Sequence, residues 1–180
     1  MKRFVVFLMA FSLTVVFSDK ANAQNFSNLD KSPMDAASFP SSYRVSDKKV
    51  KVIYSRPQLK GRSIEKLAPK GKVWRTGANE AVEITFYKDV VFGGKEIKAG
   101  TYTLFTIPNE KEWTVILSSA KNVWGAYFYK ESEDVTRVTG SVSKSSKQIE
   151  AFSITFDGED EMFNMFLGWG DIVITIPIKG

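Results

Sequence analysis

No cysteine and no histidine occur among the 180 residues. The first absence excludes a disulfide framework, and also a lipid anchor attached through a cysteine, so stability has to come from a hydrophobic core. The second excludes Ser-His-Asp and Cys-His machinery and any imidazole-ligated zinc or iron centre, leaving acid–base chemistry to carboxylates, Lys and Tyr. Glycine-rich phosphate loops are missing too: Gly93-Gly94 lacks the flanking pattern such a loop needs. The acidic stretch 157–161 lacks the spacing of an EF-hand and reads as a solvated hairpin tip. No metal and no cofactor is expected. Heptads, internal repeats and low-complexity tracts are likewise absent from the sequence.

What is present starts with an address. Met1-Lys2-Arg3, an apolar stretch over residues 4–17 and the small-x-small triplet Ala21-Asn22-Ala23 form the pattern of a secretory signal peptide, with cleavage expected between Ala23 and Gln24. The apolar stretch is shorter than the roughly 20 residues a spanning helix needs, so no integral membrane span is expected after cleavage. A periplasmic or secreted protein follows. Of the formal net charge of +5, residues 1–23 carry +2, which leaves +3. So small an excess does not suggest nucleic acid as a partner, because that recognition needs a face dominated by basic clusters.

Residues 24–42 are rich in Ser, Asn, Asp and Pro and read as a flexible arm; residues 43–180 form the domain. Within it the apolar period is two. Residues 50–55, 81–87, 101–107, 113–117, 135–142, 149–156, 162–169 and 172–178 predict strands, and Gly93-Gly94 predicts a tight hairpin. A short helical turn is expected over 63–67 and an exposed polar loop over 140–147. Many short strands with almost no helix predict an all-β fold: an antiparallel β-sandwich of jelly-roll type, with a closed barrel as the alternative. The 14 Phe, 6 Tyr and 4 Trp supply the area for its core, and Trp113 and Trp169 are expected inside it.

One block stands apart from this alternation. Ser55-Arg56-Pro57, Lys60-Gly61-Arg62 and the run Val73-Trp74-Arg75-Thr76-Gly77-Ala78-Asn79-Glu80 concentrate cations and hydrogen-bonding groups, which cores seldom hold unless paired. Arg56, Lys60, Arg62 and Arg75 would suit an anionic or hydroxyl-rich ligand, Asn79 and Glu80 would add hydrogen bonds, Trp74 would line the cleft, and Trp124 or Tyr127 could form a stacking wall. The competing structural account pairs Arg75 or Arg62 with Glu80 or Glu83 at a sheet end.

These motifs, with Ala99-Gly100-Thr101-Tyr102, Phe105-Thr106-Ile107-Pro108, Glu112-Trp113-Thr114 and Trp124-Gly125-Ala126-Tyr127, make the chain closely resemble the exported bacterial family Domain of Unknown Function 2911 from about residue 50 onward. The resemblance implies an all-β exported domain and carries no established activity. A small-molecule binding module is therefore the leading expectation. The first alternative is a carboxylate-dependent hydrolase or lyase, with Glu80 as acid or base, Arg75 opposing negative charge, and Glu83 or Asp134 as a second carboxylate. Ideal strand alternation sets Glu83 on the face opposite Glu80, which weakens that pair. The second alternative is an envelope interaction module that recruits a partner strand.

Overall fold

The computed structural model describes residues 24–180. The signal-peptide expectation for residues 1–23 lies outside the described residues. The strands are β1 (Met34–Phe39), β2 (Val50–Ser55), β3 (Val82–Phe86), β4 (Val90–Phe92), β5 (Lys95–Ile97), β6 (Gly100–Ile107), β7 (Glu112–Ser118), β8 (Asp134–Gly158) and β9 (Met162–Lys179), with one short helix, α1 (Ile64–Leu67). All pairings are antiparallel, in the order β1-β2-β3-β6-β7-β8-β9-β4-β5. The order has two free ends, so the sheet is not a closed barrel. Among the described residues no helix is long and apolar enough to cross a membrane.

The sandwich comes from the long strands. The first part of β8 pairs with β7, and its residues 141–144 pair with Thr175 back to Ile172 of β9. The register then shifts between Lys144 and Ile149 and again before Ser153. Irregularities of this kind bend a strand and increase its twist. Beyond them, the remainder of the β8–β9 hairpin lies over the inner face of the other strands. Phe163 stacks on Phe39 of β1 with ring centroids 4.0 Å apart, and Phe152 meets Tyr54 of β2 edge-on at 6.0 Å. The Tyr54 hydroxyl donates to the Ile154 carbonyl at 3.2 Å and accepts from the Ile154 N–H at 3.0 Å, so one side chain bridges the layers as a strand would. Trp113 and Trp169 are buried in this core, as their strand positions predict.

Several boundaries agree with the period-two pattern. β2 covers the predicted residues, Gly93 and Gly94 turn the β4–β5 hairpin with positive φ, and Ser63 caps α1 by accepting from the Lys66 N–H at 3.3 Å. Two expectations need correction. The stretch 24–42 is not an arm throughout, because Met34–Phe39 is β1, paired residue by residue with β2. A polar composition hides an edge strand whose neighbour supplies its hydrogen bonds. Residues 140–147 are not a loop but the continuation of β8. Their polar side chains face outward while the backbone bonds to β9, and Gly140 fits beneath Ile174, where an added Cβ would lie 2.6 Å from a methyl carbon.

Candidate functional site

The turn preceding β3 is built around its backbone. Trp74 exchanges two hydrogen bonds with Thr106 of β6, 2.7 and 2.9 Å, which sends its indole into the core. There it stacks on Trp169 at 5.3 Å and meets Trp113 and Phe152 edge-on. Trp74 is 5% exposed and is a core residue, not a lining residue of a ligand cleft. Thr76 follows with a φ of 60°, a left-handed conformation rare for a β-branched residue, held by the contact of its hydroxyl with Thr106 Oγ1 at 3.1 Å. Gly77 lets the chain lie against β2, where an added Cβ would stand 3.0 Å from the Ser55 carbonyl oxygen. Asn79 also has a positive φ, 59°, and its carbonyl accepts from Gly125 N–H at 2.9 Å.

The cations of the block are spent on the fold. Arg56 donates to the Phe152 carbonyl at 3.1 Å, to Ser153 Oγ at 2.7 Å and to Asp35 Oδ2 at 2.9 Å, tying β2 to β8 and β1. Arg62 folds back onto its own loop, donating to the Leu59 and Gln58 carbonyls at 2.9 and 2.7 Å. Lys60 is exposed, and its backbone N–H binds Glu150 Oε1 at 2.7 Å. With Lys31, Ser32 and Gln58, Lys60 and Arg62 border only a depression of about 480 Å³. Arg75 is half-buried, and its Nε has no hydrogen-bond partner among the described residues. The structural account of the block is not met either: among the described residues neither Arg62 nor Arg75 lies within 4.0 Å of a Glu80 or Glu83 carboxylate.

A cavity of about 150 Å³ lies instead on the outer face of the sheet. Ser55, Glu80, Glu83, Thr103 and Asn122 give it polar groups, and Met34, Ile53, Ala81 and Val123 give it apolar walls. Ile53, Glu83 and Thr103 sit side by side on β2, β3 and β6. Glu80 and Glu83 therefore border the same space, contrary to the alternation argument. Glu80 precedes β3 and is set by an isolated bridge to Trp124, so strand parity does not govern it. Period two could have assigned Ile53, Ser55 and Glu83 to one face. Nothing local in the sequence announces Asn122 and Val123, which arrive on the β7–β8 connection.

That connection, residues 119–133, is strapped across the outer face. Thr103 Oγ1 donates to the Ala120 carbonyl at 2.7 Å, and Ala81 N–H donates to the Val123 carbonyl at 2.9 Å. Beneath it Phe105 and Ile116 form a small second core, closed by Tyr129 edge-on to Phe105 at 5.2 Å. Tyr129 donates to Asp134 Oδ2 at 2.7 Å and accepts from Arg137 Nη2 at 2.7 Å, while Arg137 Nε reaches the same carboxylate oxygen at 2.6 Å. Burial, then the Asp134 hydrogen bond, push the Tyr129 phenol up to about 12. Asp134 is thus part of this anchor and does not border the cavity. The tip of the connection leaves Trp124 58%, Tyr127 76% and Phe128 80% exposed. Among the described residues no group of three or more acidic side chains is placed to hold a metal.

Of the residues expected to bind a ligand, only Glu80 borders this cavity, with Asn79 and Trp124 beside it in the chain and in the bridge; Glu83, the second carboxylate of the hydrolase alternative, borders it too. Compared with known proteins, residues 32–178 match the family described as Protein of unknown function (DUF2911). No curated protein and no solved structure matches the chain.

Proposed function

The chain belongs to the DUF2911 family, and we propose that its domain is an exported binding module for a small polar ligand seated in the outer-face cavity. The observation that supports the reading is that two turns converge on that space. Asn122, which borders it, and Asn79, which precedes Glu80, have positive φ, 53° and 59°, a left-handed conformation that asparagine tolerates in turns. Here they place Glu80, Asn122 and Val123 against a row of side chains on three strands. Rigid strands on one side and a strapped loop on the other make a preformed pocket.

The cavity differs from the expected Arg- and Trp-lined cleft. Arg56 and Arg62 are engaged by backbone carbonyls and Trp74 by the core, so the ligand meets carboxylates and neutral polar groups instead. A screen of small metabolites covering amines, sugars, alcohols and carboxylates by ligand-observed NMR tests the reading. Hits should disappear in Ile53→Trp, which fills the cavity from an outer-face position. Finding no hit, or hits that persist in the filled variant, would refute it. The hydrolase reading gains one observation, the shared exposure of Glu80 and Glu83 to a single space. Turnover of a bound hit, lost in Glu80→Gln, would decide for it.

A further inference from the structure

We propose that the ligand of the outer-face cavity is a neutral oligosaccharide, held by its hydroxyls at the cavity and by one ring face on Trp124. The proposal rests on the binding reading above and names its ligand class. Glu80 and Trp124 form an isolated antiparallel bridge. Ala81 N–H donates to the Val123 carbonyl and Gly125 N–H to the Asn79 carbonyl, both at 2.9 Å, so the bonds flank the pair and Glu80 and Trp124 face each other without bonding. In such a pair both side chains project to the same side, with Cβ atoms roughly 4.5–5.5 Å apart. Glu80 borders the cavity, so the indole stands at its rim beside that carboxylate.

The aromatic platform is preformed. Of the four tryptophans Trp124 alone is exposed, and the other three are core residues. Its backbone is pinned by the two bonds to residues 79 and 81. Gly125 follows with a φ of 68°, and a Cβ added there would lie 2.6 Å from a carbon of the Tyr127 ring, so that ring rests against the Gly125 backbone. Beyond the tip, Tyr129 is fastened to Asp134 and Arg137. Aromatic side chains on a backbone held at both ends offer contact area with little ordering left to lose. The negative face of an aromatic ring suits the C–H face of a pyranose. Because Tyr127 continues the exposed surface past the cavity, a chain of sugars fits better than one.

The cavity supplies the polar half. Among the described residues the side chains of Glu80, Glu83 and Asn122 make no ion pair and no hydrogen bond. Sugar hydroxyls both donate and accept, which matches two carboxylates that accept and an amide that does both. With two carboxylates and no lysine or arginine on the border, an acidic sugar is repelled. Counting its open mouth, the cavity takes in about 540 Å³, within the range of roughly 300–1,000 Å³ usual for small-molecule sites. A lipid bilayer is the other surface that exposed aromatics fit. The flanking charges do not favour it, because Lys121 lies over the Tyr102 ring at 5.3 Å, Lys130 is paired with Glu133 at 3.3 Å, and the Glu80 carboxylate stands beside Trp124.

The test is a titration of the exported protein with maltohexaose, cellohexaose, chitohexaose and mannohexaose, read by amide-shift NMR and by tryptophan fluorescence. At least one hexaose is expected to move the amides of Glu80, Asn122 and Val123 and to shift the emission of Trp124 to the blue, with its monosaccharide binding more weakly. Trp124→Ala should weaken that hexaose by about tenfold, the share of one ring stack, and Trp124→Phe should restore most of the loss. Glu80→Gln should weaken it by up to about tenfold, as loss of a hydrogen bond to a charged acceptor does. Spectra of the free variants that overlay on the parent away from the tip show that folding is unchanged. Binding that survives Trp124→Ala undiminished, or hexagalacturonate binding as tightly as the neutral hexaoses, would overturn the proposal. Sedimentation with vesicles of phosphatidylcholine and phosphatidylglycerol in equal parts, lost in Trp124→Ala and without any hexaose shift, would overturn it in favour of a bilayer. No hexaose shift alongside metabolite hits abolished by Ile53→Trp would overturn the oligosaccharide class and leave the cavity a binding site. If both experiments are blank, the binding reading falls with it.

Discussion

Replacing Arg56 by alanine separates a structural arginine from a ligand-binding one. The side chain is 34% exposed and makes three hydrogen bonds, to the Phe152 carbonyl, Ser153 Oγ and Asp35 Oδ2. The Asp35 partner is 44% exposed, so that ion pair is screened by water and contributes at most about 0.5–1 kcal/mol. The two bonds to β8 are made by a charged donor, ordinarily about 1.5–3 kcal/mol each, and partial exposure brings them nearer 1. Loss of all three is expected to cost about 2–3 kcal/mol, a large share of the 5–15 kcal/mol typical of a domain. Asp35→Ala should cost about 0.5–1 kcal/mol. Arg56→Lys should recover less than half of the loss, since one ammonium cannot reach partners on β1 and β8 with fork geometry. Urea unfolding followed by circular dichroism reads these values, provided the slope against urea is unchanged. A loss below about 0.5 kcal/mol for Arg56→Ala would refute the assignment, because it would mean that the guanidinium adds nothing to the joint between the layers.

Trp74→Ala should destabilise by about 3–5 kcal/mol in the same assay, as removal of a buried aromatic does, whereas Trp124→Ala should stay within about 0.5 kcal/mol. An Arg75/Glu80 double-mutant cycle should show coupling below about 0.3 kcal/mol, since no ion pair joins them; coupling above 1 would contradict the geometry. Because the folded protein holds the Tyr129 proton to about pH 12 against an ordinary value of 10, its contribution is full below pH 10 and is lost as pH rises from 10 through 12. Urea midpoints of the parent and Tyr129→Phe should therefore converge over that interval, and a constant gap would contradict the retention of the Tyr129 proton by burial and the Asp134 hydrogen bond. Intact mass of exported material should begin at Gln24; a species retaining Met1 would contradict cleavage.

How far the fold could be read from the sequence depended on which force fixed each element. β2 and β3 were readable because alternate residues, Val50, Val52 and Tyr54 or Val82, Ile84 and Phe86, are buried by one-sided packing. β1 was not, since Met34–Phe39 is mostly small or polar and holds its place through backbone pairing with β2 and one Phe39 stack. β8 looked like two strands around a loop because residues 140–147 carry only one large apolar side chain, Val142, although their backbone bonds to β9 continue to Lys144.

The site divides in the same way. Composition alone excluded histidine and cysteine chemistry and marked residues 55–80 as unusual, and period two was enough to make the chain an all-β sandwich. Which arginines are free, which tryptophan is buried and which carboxylates face one cavity were decided by tertiary structure. A cation's role depends on the acceptors brought to it from other parts of the chain. For Arg56 these came from β1 and β8, and for the cavity the decisive wall was carried in by residues 119–133. Local sequence records side-chain chemistry and strand parity. It does not record which carbonyls and carboxylates lie opposite, because several of those contacts join residues a hundred or more positions apart.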